Sequence, residues 1–478
     1  MNRKSLVENS LFNVLYKCLN IVFPLLTAGY VSRVLLPSGV GKVAYAQNIA
    51  QYFVLIAALG LPNYGTREIS KARNDVKICN KIFSELFFLN ALSTLICLLL
   101  YYMLIIVMPF FYSNQLLYMV TGLSILLNFL NVDWFYQGTE QYQYIAIRSF
   151  VIKLISLVSI FVFVRKQSDY IVYALIFALA GAGNNIYNVL HLRKENVRIV
   201  INELNIRTHV KPVLLLLGTT IAIELYTLLD TTMIGMFCVD ESVAYYSYSM
   251  RIVKTVIVVV AAIGGVLLPR LSMYYVQNQL EECKMLVNKV LEILLYLFIP
   301  AGIGIIVCAS DIIRIMYGEA FLPSVITLRI EALLIYALGF SNLFGTQVLL
   351  TFGKEKQLLI AAIVGAGSNV LLNFFLIRML QQNGAAIASI ISESLVTVMT
   401  FCWARKCIDI RVNLKNLLSS ILASVLMAIV IVMISHFIEN VLVRLLISIC
   451  LGGLVYLVVT ISMKNTVIKM LKVFIKKR

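Results

Sequence analysis

The chain is organised by long apolar runs. Between clusters of charge, proline and glycine, runs of about 20 residues recur at 11–34, 41–61, 82–108, 116–135, 147–164, 170–190, 212–236, 243–267, 288–309, 323–343, 357–377, 384–404, 416–438 and 441–463. The hydrocarbon core of a bilayer takes about 20 helical residues, whereas a barrel strand takes about 10. The runs therefore predict helices. With 61% of residues hydrophobic and 13% charged, too few polar residues remain to cover a soluble chain of this length. The expected fold is all-α: a polytopic membrane protein with fourteen transmembrane helices.

Basic residues set the expected orientation. With the N-terminus inside, 28 Lys and Arg fall on cytoplasmic segments and 7 on the opposite side. Both termini are expected in the cytoplasm, and the net charge of +17 is then mainly a topology signal, not a nucleic-acid footprint. The first run continues past 20 residues without an A-x-A site, so it reads as a span and not a removed signal peptide. Gly39-Val40-Gly41-Lys42 lacks the P-loop spacing. The nine cysteines are scattered without a C-x-x-C, so neither disulfides nor a metal site are expected. No cofactor is expected. The longest connections, 62–81, 191–211 and 268–287, are too short for domains. Segment 191–211 and the tail from Lys464, with Val467, Met470, Leu471, Phe474 and Ile475 on one side, could lie on the inner leaflet or simply tether the chain.

A weak internal repeat runs through the spans. Val43-Ala44-Tyr45 matches Val243-Ala244-Tyr245, Leu61-Pro62 matches Leu268-Pro269, and Gly138-Thr139-Glu140 matches Gly353-Lys354-Glu355 in the same order. Two parallel sets of six spans suggest two pseudo-symmetric lobes around a cavity. The expected organisation is an N-lobe at 1–190, a linker at 191–211, a C-lobe at 212–404, and two further helices with a basic tail at 405–478.

Polar residues inside the spans fit such a cavity. Asn13, Lys17, Asn20, Pro24 and Thr27 form one stripe on span 1. Span 2 carries Tyr45, Asn48 and Gln51; span 8 carries Tyr245, Tyr248, Arg251 and Lys254. Charges at membrane depth face a bundle interior or a wet cavity. The alternative for Asn and Thr is helix–helix hydrogen bonding, and for Lys17 snorkelling to the interface. On span 7, Asp230 and Glu224 lie at depths similar to Arg251 and Lys254. They read either as static ion pairs or as acids that exchange an ion during transport, with Glu393 in span 12 a further candidate.

Several motifs resemble one family. Phe23-Pro24-Leu25-Leu26, Tyr30-Val31-Ser32-Arg33, Gly39-Val40-Gly41-Lys42-Val43, Leu59 to Ile69, Asp133-Trp134-Phe135-Tyr136-Gln137-Gly138, Leu229-Asp230 and Leu268-Pro269-Arg270 resemble Wzx-type polysaccharide flippases. These belong to the multidrug/oligosaccharidyl-lipid/polysaccharide exporter superfamily. The resemblance implies six plus six plus two helices, a cavity lined by spans 1, 2, 7 and 8, and no enzymatic activity. It implies a cargo of undecaprenyl-pyrophosphate-linked oligosaccharide repeat units moved to the outer leaflet of the bacterial cytoplasmic membrane, for O-antigen, capsule or exopolysaccharide. Arg251 and Lys254, with Lys17, are candidates for the pyrophosphate; Asn20, Asn48, Gln51, Tyr45 and Tyr245 for the sugars. Membrane lipids, a polysaccharide polymerase and a chain-length regulator are the expected partners. A drug antiporter or a lipid II flippase of the same fold is the alternative.

Overall fold

The computed structural model describes residues 6–195, 197–202 and 204–468, and their side chains except at 6–22, 215, 219–227, 258–266 and 269. The amphipathic tail residues Met470, Leu471, Phe474 and Ile475 lie outside this range, as do the side chains of Lys17, Asn20 and Glu224. Among the described residues all regular structure is helical. Among the described residues, eleven helices are long and apolar enough to cross a membrane. Many large apolar side chains point outward, such as Leu99 at 63% and Phe163 at 62% exposure. In water such a surface would aggregate; against lipid it is matched. This is a multi-pass membrane protein.

The chain forms two compact units, one ending at Thr232 and one beginning at Met233. The first opens with α1 (Leu6–Ala58), which is broken at Leu36, where the backbone leaves the helical region with φ 57°. Pro37 disfavours helical geometry at the residue before it, and this separates the first two predicted spans. α2 (Leu61–Ala72) occupies a stretch expected to be a loop. It is a short amphipathic helix that buries Leu61, Tyr64, Gly65, Ile69 and Ala72. α3 (Val76–Val107) starts on Asp75, whose carboxylate accepts from the amides of Lys77 and Ile78. The next span is broken into α4 (Gln115–Thr121), α5 (Leu123–Leu126), a tight turn at Leu127–Leu130, and α6 (Asp133–Gly138). α7 (Tyr142–Phe163), α8 (Tyr170–Leu192) and most of α9 (Arg207–Phe237) complete the unit.

One core cluster pins one end of this unit, with Phe83, Leu86, Trp134, Phe135, Ile69 and Val213 buried together. Gly65 belongs there because a side chain would collide with the Trp134 ring, 2.7 Å from the nearest ring atom. The connection before α9 is fastened to α3. Val200 N–H donates to Ser84 Oγ at 2.8 Å, and Asn205 N–H to Glu85 Oε1 at 2.7 Å. His209 bridges Glu85 and Tyr64, 2.8 Å from each.

The second unit contains α10 (Asp240–Val276), α11 (Leu280–Tyr317), α12 (Ser324–Glu331), α13 (Leu334–Ser341), a wide helical turn at Asn342–Leu349, α14 (Glu355–Leu380), α15 (Gln382–Cys407), α16 (Leu414–Phe437) and α17 (Val441–Ser462). α10 and α11 run well beyond their apolar runs, so the connection expected at 268–287 shrinks to 277–279. Residues such as Glu281, Glu282 and Lys284 are good helix formers outside an apolar run. α11 packs with α16 and α17 through Ile293, Tyr296, Met427, Ile431 and Tyr456. A two-pronged contact from Arg444 to Asp311 ties α17 to α11.

Candidate polar cavity

The break in the fourth span creates a polar site inside the first unit. After the turn at Leu127–Leu130, Asn131 is extended, so the local carbonyls no longer serve a helix. Asn185 Nδ2 donates to the Leu127 carbonyl at 3.0 Å and Asn90 Nδ2 to the Asn128 carbonyl at 3.3 Å. Irregular backbone at membrane depth is tolerated where protein or a wet cavity surrounds it. Here it borders a cavity of about 290 Å³.

Four elements line that cavity. α1 supplies Gln47 and Gln51, the broken span Asn128, Asn131 and Asp133, α7 Arg148 and Lys153, and α8 Asn184 and Asn185. Arg148 is 2% exposed and is held on three sides. Its Nη1 donates to Asp133 Oδ1 at 3.0 Å and also to Asn188 Oδ1, and its Nε to Asn184 Oδ1 at 3.2 Å. Asn188 Nδ2 in turn donates to Asp133 Oδ1 at 2.6 Å. A buried charge is tolerable only with this degree of pairing, so Arg148 is a structural tie between α6, α7 and α8. Lys153, one and a half turns further along α7, lines the same cavity, with its ammonium 5.9 Å from the Phe23 ring centre.

Two amide donors on this wall have no protein acceptor among the described residues. They are Gln47 Nε2 and Asn128 Nδ2, both enclosed; Asn128 is 5% exposed. Buried donors normally find a partner. The wall therefore offers amide donors to a ligand rich in acceptors. Among the described residues no cluster of metal-ligating side chains occurs.

The residues singled out in the sequence fall into three groups. Gln51 lines this cavity and is exposed. Asn48 on the same helix is spent on the protein: its Nδ2 donates to the Leu228 carbonyl at 3.0 Å and to Thr232 Oγ1 at 2.8 Å. Tyr45 is buried, with its ring edge-on to Phe110. Asp230 is buried in the first unit and Glu393 in the second. In the second unit, Tyr245 donates to the Ala320 carbonyl at 3.4 Å. Arg251 is half-buried, its guanidinium 4.9 Å from the Tyr248 ring centre, while Lys254 is exposed. Lys17, Asn20 and Glu224 have no described side chains.

Sequence reasoning missed Asn128, Arg148, Lys153, Asn184 and Asn185. Lys153 is the lone charge in an apolar stretch from Phe150 to Phe163, a signal that was there to be read. Arg148 is one of the 28 basic residues expected on cytoplasmic segments.

Comparison with known proteins places this architecture. A "Putative O-antigen transporter" of Escherichia coli (strain K12) is 23% identical over 406 residues, which cover 84% of this chain and 98% of that protein. A protein of the same name from Shigella dysenteriae is 25% identical over 401 residues, covering 82% and 98%. Among solved structures, a lipid II flippase MurJ in an inward closed conformation superposes with a TM-score of 0.76 at 18% identity, covering 96% of this chain and 99% of that one. At that identity the likeness shows the fold alone. The MatE profile matches residues 216–375, and the profile described as polysaccharide biosynthesis protein matches residues 6–275, more than half of the sequence. The chain belongs to the polysaccharide biosynthesis protein family, as a helical membrane protein of the flippase and exporter type.

Proposed function

We propose that this protein translocates undecaprenyl-pyrophosphate-linked oligosaccharide repeat units from the inner to the outer leaflet of a bacterial cytoplasmic membrane. The observation that carries this reading is alignment, at 23–25% identity, over 98% of the length of two proteins named "Putative O-antigen transporter". Physical chemistry supports it. Each sugar hydroxyl moved into hydrocarbon without a partner costs roughly 2–7 kcal/mol, so such a headgroup crosses only along polar side chains. The first unit holds an amide-rich cavity inside an otherwise apolar bundle. Moving the headgroup breaks no covalent bond.

In this reading the chain crosses the membrane fourteen times with both termini in the cytoplasm. Its two six-helix lobes open alternately to each side. Arg251 and Lys254, with Lys17, meet the pyrophosphate; Asn20, Tyr45, Gln51 and Tyr245 meet the sugars; and Asn48 acts through α9 as a structural contact. Glu224, Asp230 and Glu393 are the candidates for a coupling ion. A polymerase and a chain-length regulator take over the delivered units.

Deletion followed by lipid extraction tests the reading. Accumulation of one pyrophosphoryl-linked oligosaccharide, with loss of the surface polymer, is expected. An unchanged lipid pool together with unchanged polymer would reject it.

A further inference from the structure

We propose that the connection from Arg193 to Lys211, which leads from α8 into α9, is a docking surface for anionic phospholipid headgroups in the leaflet on its own side of the membrane. Lipid binding there needs no cargo, so it stands apart from the transport reading.

Depth comes first. On α3 the outward-facing apolar side chains run from Leu92 to Val107, 57% and 62% exposed, and the helix ends at Val107. At 1.5 Å per residue this stretch covers about 22 Å. A hydrocarbon core of about 30 Å measured from Val107 then ends near Phe87. Ser84 and Glu85 lie within one further turn, inside the headgroup layer, which adds about 5–7 Å on each side. Those two residues hold the connection. Val200 N–H donates to Ser84 Oγ at 2.8 Å and Asn205 N–H to Glu85 Oε1 at 2.7 Å. Val200 and Asn205 are therefore fastened at headgroup depth.

Two chemistries meet there. Val197 and Ile206 pack on the core of the unit, but Ile199 and Ile201 turn outward, 54% and 73% exposed. Apolar side chains at that depth are covered by the boundary between headgroups and acyl chains. Near them in the chain, Arg193, Lys194, Arg198 and Arg207 are exposed, and none of the four makes an ion pair among the described residues. The bases of α2 are answered by protein: Arg67 and Lys71 reach Glu68 at 3.0 and 2.9 Å, and Arg73 reaches Glu140 at 2.6 Å. Glu195, the one described carboxylate of the connection, accepts from Gln141 Nε2 at 2.8 Å. Cations without counter-ions beside two outward isoleucines match a lipid with a net negative headgroup. A zwitterionic headgroup brings its own cation, and free phosphate would leave the isoleucines in water.

The test is hydrogen exchange of the purified full-length protein in nanodiscs of phosphatidylcholine, with or without phosphatidylglycerol. Peptides covering 197–206 should exchange more slowly with phosphatidylglycerol, by about fivefold or more, since each basic residue near an anionic surface contributes about that factor in affinity. Arg198→Gln with Arg207→Gln should abolish the difference, and Ile199→Ser with Ile201→Ser should reduce it. Arg405→Gln with Lys406→Gln, which removes two exposed bases at the end of α15, should leave it intact. Inorganic phosphate added to phosphatidylcholine nanodiscs should not reproduce it. If the Arg198, Arg207 variant fails to fold, salt decides on the wild type: the protection should fall at 1 M salt, where charges are screened beyond about 3 Å. Equal exchange in both nanodiscs, protection that survives loss of Arg198 and Arg207 or survives 1 M salt, protection lost equally in the Arg405, Lys406 variant, or protection by phosphate alone would each overturn the proposal.

Discussion

Arg148→Met should destabilise the first unit severely, and removal of Asp133 with it should restore part of the loss. The arginine side chain is 2% exposed and Asp133 is 21% exposed. Removing one member of a buried ion pair costs about 3–5 kcal/mol, because the other is left charged and buried. Asp133 keeps the Asn188 amide at 2.6 Å and touches solvent, which places the single mutant near the low end, at about 3 kcal/mol. In the double mutant Arg148→Met, Asp133→Leu, no unpaired charge remains. Asn184 and Asn188 lose a partner, at about 1–2 kcal/mol. The double mutant should therefore be the more stable of the two. Heating the detergent-solubilised protein and measuring the monodisperse fraction by size exclusion ranks all three proteins. An Arg148→Met protein as heat-stable as wild type, or a double mutant less stable than the single, would refute the claim that this pair ties α6, α7 and α8 together.

Gly384→Ala should abolish folded protein, because a methyl group there would lie 2.1 Å from the Leu376 carbonyl oxygen across the turn joining α14 and α15; normal yield of monodisperse protein would contradict that close approach. His209→Phe should loosen the connection before α9 by removing its bonds to Glu85 and Tyr64. Trypsin cleavage after Arg198 should then quicken, and an unchanged cleavage rate would show that the backbone bonds to Ser84 and Glu85 suffice. Arg251→Ala and Lys254→Ala should each reduce polymer export with the protein still inserted, and wild-type export from the double mutant would place the pyrophosphate elsewhere. Arg251→Lys should be mild if charge alone matters and severe if a two-pronged phosphate contact does.

The helices were legible because a bilayer leaves the backbone few options. Each apolar run must satisfy its own amides, so its length announces a span. The bend at Leu36 was legible from Pro37. α2 was harder to read because Arg67, Glu68 and Lys71 interrupt its apolar run, although Leu61, Tyr64, Gly65, Ile69 and Ala72 recur at helical spacing on its buried face. The cavity was harder to see. Its walls come from segments well separated in the sequence, from α1 to α8, and only folding brings Gln47, Asn128, Lys153 and Asn185 together. A basic residue at a span end reads the same in the sequence whether it faces the cytoplasm or, like Arg148, pairs with an aspartate inside the bundle. Asn48 shows the reverse case, a polar span residue that fits a cavity stripe in the sequence and bonds to Leu228 and Thr232 in the fold.

The central claim, transfer of a lipid-linked oligosaccharide between leaflets, is tested most directly in proteoliposomes. Purified protein is reconstituted with undecaprenyl-pyrophosphate-linked oligosaccharide, and a membrane-impermeant glycosidase reports which headgroups face outward. With the protein present, the inner pool should become digestible in time, and an imposed ion gradient should speed the process only while Glu224 and Asp230 are intact if those acids couple it. An inner pool that stays protected, as in protein-free vesicles, would contradict the account.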